Sequence, residues 1–183
     1  DVDWLYPLVR TALETGMRKG ELRALQFNKL GEDTILVNQG VSDIKGASRS
    51  ITSPKTSSSI RRIHVDKQLI TFLKHIPHQE ETDFVFHSPK DVRAPLSISP
   101  IDIQFKKLLS KTGIDKPIRF HDLRHTHATL LIMAGVNIKT VSTRLGHASV
   151  AITLNRYAHA LPQQDKEAGL LISSMLLHTT TNS

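Results

Sequence analysis

The stretch IRFHDLRHTHATL, residues 118 to 130, packs three histidines and two arginines into nine positions of a segment that otherwise has the pattern of an amphipathic helix. Three readings compete for it: a metal site, a grip for phosphate, or a polar helix face without chemistry. A helix over 121 to 134 would place Leu123, His127, Leu130, Leu131 and Ala134 at the spacing of a buried face, leaving His121, Arg124, His125 and Ala128 elsewhere. His121 and Arg124 are three apart, so they share the first turn, where unpaired backbone N–H groups and the positive dipole end favour an anion. The metal reading is the weaker one. HDLRH sets two histidines four apart around an acid, as zinc proteases do with HExxH. However, Asp122 is a methylene shorter than the glutamate such a site needs, Arg124 would set a cation among the ligands, and no third ligand is evident. Phosphate binding and a plain polar face both remain open on this segment alone.

Around that segment, 183 residues with 39% hydrophobic content suffice for one substantial core and do not require two domains. Lysine and arginine outnumber aspartate and glutamate by 24 to 17, a formal +7 that favours a polyanionic partner, nucleic acid before an acidic membrane surface. With no cysteine, disulfides, thiol nucleophiles, iron–sulfur clusters and thiolate zinc sites are all excluded. No run approaches the roughly 20 apolar residues that span a bilayer, and no signal peptide is visible, so a soluble, cytoplasmic protein is expected. The chain starts at Asp1 without an initiator methionine, which suggests the C-terminal part of something longer.

The rest of the chain reads as α+β and mostly helical, with a small antiparallel sheet expected to hold three strands. Residues 3 to 14 and the stretch RKGELRAL after Gly16 predict two helices; DTILVN and SIRRIHV alternate as strands, joined through the polar GASRSITSPKTSSS, read as a mobile hairpin tip. Further helices are expected over 66–75, 100–110 with Ser99 as cap and Pro100 at the first position, 121–134, 137–145, 149–158 and 162–177. Gly113, Gly135 and Gly146 stand where helices should end.

Three more stretches decide between the open readings: TGMRKGELRAL (15–25), PKTSSSIRRIHV (54–65) and RLGHASVAITLNRYAH (144–159). In order with HDLRHTHAT they resemble the catalytic domain of the tyrosine recombinases, the family of phage and conjugative-transposon integrases and Xer recombinases. One such box occurs often by chance; four in order, from residue 15 to about 160, are specific. The resemblance implies that Arg18 and Arg124 hold the scissile phosphate, that His121 is the histidine of the HxxR pair, Lys55 the hairpin lysine, His147 the histidine after LG, and Tyr157 the nucleophile. It also implies no cofactor and no metal. Glu21, three residues after Arg18, matches a common acid of the family and could orient an arginine.

These residue types suit phosphoryl exchange. Guanidinium groups answer charge on non-bridging oxygens with paired, permanent donors. A phenol makes a phosphotyrosyl bond close in energy to the one it breaks, so strand cleavage stays reversible without ATP. The phenol is normally protonated, and adjacent cations are expected to ease its ionisation, with His121 as candidate base. Lys55 would protonate the departing 5′-oxygen and His147 would donate to a phosphate oxygen. By contrast, His127 is expected to be structural and His125 to support the helix or approach DNA backbone. Lys45, Arg49, Arg61, Arg62, Lys106, Lys107, Lys139 and Arg144 are candidate backbone contacts, about half of them expected to be only solvated.

The expected partner is double-stranded DNA at attachment sites, bound by a homotetramer in which the apolar tail, residues 162 to 183, docks between subunits; the isolated domain could be monomeric. The resemblance further implies DNA-binding domains N-terminal to this chain. The leading reading is a site-specific recombinase that integrates or excises a mobile element. A chromosome-dimer resolvase of the Xer kind, or a DNA-binding module that kept the fold without the chemistry, are the alternatives.

Overall fold

The computed structural model describes residues 4–43, 50–52, 59–158 and 165–178. Two helices open the chain, α1 (Leu5–Thr15) and α2 (Lys19–Arg23), followed by a single 3₁₀ turn at Phe27–Lys29. Four short strands follow: β1 (Thr34–Val37), β2 (Gly40–Ser42), β3 (Ser50–Thr52) and β4 (Arg61–His64). Next come α3 (Lys67–Lys74) and the hairpin of β5 (His87–Ser88) and β6 (Asp91–Pro95). The remainder is helical: α4 (Ile98–Lys111), α5 (Asp122–Met133), α6 (Ile138–Leu145), α7 (Val150–Tyr157) and α8 (Asp165–His178). No helix among the described residues is long and apolar enough to cross a membrane.

The α+β class stands, but the expected three-stranded sheet is divided. Among the described residues there are three separate antiparallel pairs: β1 with β4, β2 with β3, and β5 with β6. The break between β1 and β2 falls at Asn38–Gln39, where the Gln39 amide donates to the Ala24 carbonyl at 2.7 Å and holds the chain to α2 instead of letting it run on as one strand. Within the first pair Ile35 faces Ile63, both buried, and the alternation of β4 turns Arg61 to the same side as Ile63. The β5–β6 hairpin was not expected, because a two-residue strand with a bulge leaves no period to detect.

Helix ends follow the glycines. Gly16 and Gly146 cap α1 and α6 in the left-handed conformation, with φ of 65° and 67°, where a side chain would be strained. Gly113 and Gly135 take the same conformation just after α4 and α5. Helix α4 starts two residues earlier than expected, with Ser97 as its N-cap, so Pro100 sits third in the first turn; the N–H it lacks would have had no intrahelical acceptor there.

Two cores result. The larger gathers α1, β1, β4, α3 and the first turns of α4 around Leu8, Leu22, Ile35, Ile63, Leu69, Phe86 and Ile101. A smaller one lies between α5, α6 and α7 and consists of Ala128, Ile132, Val141, Leu145 and Tyr157. Helix α5 faces these cores with Leu123 and His127, as the periodicity selected, and also with Arg124, Ala128 and Ile132; Leu131 packs partly against the smaller core, whereas Leu130 and Ala134 are exposed. The buried face is shifted towards Arg124 because its guanidinium finds carbonyl acceptors inside the fold, at Gly16 and Leu145, and Leu130 is left outside.

Candidate active site

The C-terminus of α6 organises the site. Gly146 breaks the helix and leaves consecutive carbonyls exposed, and three arginines from distant segments take one each. The Arg61 Nε–H donates to the Arg144 carbonyl at 2.7 Å, Arg124 Nη2 to Leu145 at 2.8 Å, and Arg18 Nη2 to Gly146 at 3.1 Å. A helix C-terminus carries partial negative charge, so cations are stabilised there. A Cβ on Gly146 would fall 2.8 Å from Arg61 Nη1, so glycine is demanded both by the backbone angle and by the guanidinium beside it.

Glu21 balances part of this charge. Its carboxylate accepts from Arg18 Nη1 and the Arg18 backbone N–H, each at 2.8 Å, and from Arg61 Nη2 and Nη1 at 2.8 and 3.1 Å. Burial alone would push the Glu21 pKa up; hydrogen bonds and charge from Arg61, then Arg18, more than offset this and hold it below the usual carboxylate value. Arg124 is 4% exposed and also donates to the Gly16 carbonyl at 2.7 Å. Burial, then the positive charge of Arg18, pushes its pKa down to about 9, which leaves the guanidinium charged at neutral pH. Two of its five N–H donors are thus anchored by carbonyls, which fixes the plane of the guanidinium.

The histidines and the tyrosine complete the arrangement. His147 follows Gly146 directly, and its Nδ1 pairs with the buried Thr153 hydroxyl at 2.7 Å, joining it to α7. Burial, then the charges of Arg124 and Arg18, lowers its pKa to about 4, so the ring is neutral at pH 7. In the tautomer that accepts from Thr153, Nε2 carries the proton and can donate to an oxygen. His121 caps α5 and is exposed, held in its turn by Asp122, which accepts from the Arg119 backbone N–H at 2.8 Å. Burial of part of the ring, then His125 and Arg124, pushes the His121 pKa below its usual value.

Tyr157 ends α7 with 2% of its surface exposed, and its hydroxyl lies 2.7 Å from His125 Nδ1. His121 instead meets the His125 ring edge-on, with centroids 5.2 Å apart. The expectation that cations ease ionisation of the phenol is met only in part. Arg124 and then Arg156 pull its pKa down, but burial is the larger influence and raises it.

Five of the six expected site residues, Arg18, His121, Arg124, His147 and Tyr157, therefore lie together around the α6 terminus. Lys55 lies outside the described residues, in the segment between β3 and β4, and so do Lys45 and Arg49, between β2 and β3. Glu21 orients Arg18 as expected, and it does the same for Arg61, which was not foreseen. His127 is structural: its Nδ1 faces the Leu13 carbonyl at 2.7 Å, and Arg144 Nε donates to its Nε2 at 3.1 Å. Two arginines expected to contact DNA are thereby corrected to internal braces. Arg61 is buried against Glu21, and Arg144 also donates to the carbonyls of His64 and Glu14 at 2.8 Å. Arg62, Lys106, Lys107 and Lys139 are exposed.

An open groove of about 810 Å³ leads up to His121 between α4 and the segment 114–121 that precedes α5, with Lys19, Lys106, Lys116 and Arg119 on its walls and Asp102 tied to Lys19. No set of three histidine or acidic side chains among the described residues converges as metal ligands would. What the arrangement can do is hold an oxyanion between two fixed guanidiniums and a neutral imidazole, within reach of a hydroxyl already paired with a base.

Residues 4–164 match the sequence model described as the phage integrase family. The ICEBs1 integrase of Bacillus subtilis is 34% identical over 177 residues, covering 90% of this chain and 47% of that protein. A XerC-like tyrosine recombinase of Caldanaerobacter subterraneus is 32% identical over 190 residues, covering 90% of this chain and 48% of that one. The chain thus spans about half the length of these relatives. Among solved structures, the Tn1549 transposon integrase in complex with circular intermediate DNA superimposes with a TM-score of 0.75 at 24% identity, over 92% of this chain and 59% of that one, a likeness of fold.

Proposed function

The chain belongs to the phage integrase family, as a tyrosine recombinase catalytic domain, and from that premise we propose that it breaks and rejoins DNA strands to integrate or excise a mobile element. The observation that carries this reading is the meeting of Arg18, Arg124 and His147 at one helix terminus beside the Tyr157 hydroxyl. Arg18 and Arg124 bind the non-bridging oxygens of the scissile phosphate, and His147 Nε2 donates to one of them, so that charge developing in the transition state meets donors already in place. His121, at the mouth of the cationic groove, contacts the same phosphate from the other side.

Tyr157 Oη attacks phosphorus in line; a 3′-phosphotyrosyl bond forms as the bond to the 5′-oxygen breaks, and Lys55 supplies the proton that oxygen takes. Attack by a 5′-hydroxyl, its own or a partner duplex's, reverses the step and releases the tyrosine. Duplex DNA lies along the groove walled by Lys106, Lys116 and Arg119. Helix α8 docks on a neighbouring subunit in a tetramer assembled on DNA. Support for this comes from its exposed Leu170, Leu171, Ile172 and Leu176, which this fold does not bury.

A duplex nicked just 3′ of the cleavage site loses the short 5′-hydroxyl product and traps the intermediate, so the protein should shift to a covalent adduct on a denaturing gel. EDTA should not reduce it. Absence of an adduct, or its persistence in Tyr157→Phe, would sink the reading, and a non-catalytic DNA-binding module would then be the better one. The similarity to a XerC-like recombinase favours a resolvase as second reading; an adduct formed on a chromosomal dimer-resolution site and not on the ends of an element would select it.

A further inference from the structure

We propose that His125, and not His121, accepts the proton of the Tyr157 hydroxyl as the phenol attacks phosphorus, an assignment that rests on the strand-transfer reading above. His125 Nδ1 lies 2.7 Å from Oη, already at the distance proton transfer needs, and it is the hydrogen-bond partner of that hydroxyl among the described residues. The His121 ring meets the His125 ring edge-on, at 90° and 5.2 Å, and among the described residues it makes no hydrogen bond to the phenol. His125 directly follows Arg124 on α5, so the helix that fixes the phosphate-binding guanidinium also fixes the base.

The charged and titratable groups facing the ring are His121, Asp122 and Arg124 on α5, Arg119 in the turn before it, and Arg156 and Tyr157 on α7. Burial first, then Arg156, lowers the His125 pKa against the opposing influence of Asp122, so the ring is neutral and able to accept at pH 7. In the step itself the Oη–H bond breaks and its proton passes to Nδ1, the Oη–P bond forms, and the P–O5′ bond breaks. The departing oxygen takes its proton from an ammonium donor, the role given above to Lys55. Asp122 lies close enough to offset the imidazolium, and on rejoining, His125 returns the proton to Oη.

The test is single-turnover cleavage of the nicked duplex by the full protein across pH. His125→Asn places an amide oxygen near the Nδ1 position; it can still accept a hydrogen bond from the phenol but cannot take its proton. It should bind the duplex with wild-type Kd, cleave about 10²- to 10⁴-fold more slowly, and lose the acidic limb of the wild-type pH profile. His121→Asn should slow cleavage and keep that limb. As a second readout, replacing Tyr157 by a 3-fluorinated tyrosine, whose hydroxyl is more acidic, should recover part of the His125→Asn loss, which a purely positional role does not predict. Wild-type rate and an intact limb in His125→Asn, or loss of the limb in His121→Asn alone, overturn the assignment. If the wild-type protein forms no adduct, the strand-transfer reading itself fails, a result distinct from either.

Discussion

The α6 terminus and the α8 helix depart from the ordinary division of residues in opposite senses. Around α6, Glu21, Arg61 and Arg124 are charged yet buried, and each is matched by carbonyls or a counter-charge. Along α8, leucines and an isoleucine are apolar yet exposed, with 54–66% of their surface in solvent. Buried charge and exposed hydrophobes are the informative exceptions in a fold. The first marks a site pre-organised by its own chain. The second marks a surface that its own chain does not satisfy.

The largest effect should come from removing the counter-charge. Glu21→Gln leaves the buried Arg61 and its neighbour Arg18 without a carboxylate, and unfolding in urea should show a loss of about 3–5 kcal/mol. An unchanged midpoint would mean the network is not the brace it looks like.

Acid should attack the same region. His127 has its pKa lowered to about 4 by burial, below its unfolded value near 6.5. The folded state therefore resists protonation of this ring: its contribution is complete above pH ~6.5 and lost as pH falls towards the folded pKa, amounting to no more than roughly 3 kcal/mol. The lowered Glu21 pKa has the same sign and acts further down, its stabilisation disappearing as pH drops through the folded pKa. Stability of His127→Gln measured against pH should lose its own share of the first slope, with His147 supplying much of the rest, and keep the second.

Gly146→Ala should cost about 1–2 kcal/mol for its left-handed backbone, plus displacement of Arg61, and adduct formation should fall with it. The smallest stability effect belongs to the other region. Leu176→Asp should leave the urea midpoint of the DNA-free protein within about 0.5 kcal/mol while abolishing assembly on DNA in a native gel. A large loss of stability instead would place α8 inside its own fold and remove the contrast.

Much of this was legible in the sequence. Helix ends at Gly113, Gly135 and Gly146 follow from a backbone conformation that few other residues adopt, and the order of the motif boxes singled out five candidate residues that the fold brings near one another. The burial of Arg124 on α5 was not legible, because hydrophobic periodicity has no knowledge of carbonyls supplied by α6 and by Gly16. The same blindness turned Arg61 and Arg144 into surface contacts. For Arg61 a signal was present: it alternates in phase with Ile63 on β4, so the strand pattern already turned it inward.

Residue identity and order by themselves supplied the functional groups, guanidiniums, imidazoles and a phenol, in the pattern of one family, whereas burial and neighbouring charge in the folded chain set their proton affinities. Which histidine touches the phenol was decided only by tertiary structure. His121 and His125 are four apart, one capping α5 and one within it, and the packing of α5 and α7 on α6 brings the Tyr157 hydroxyl to the second.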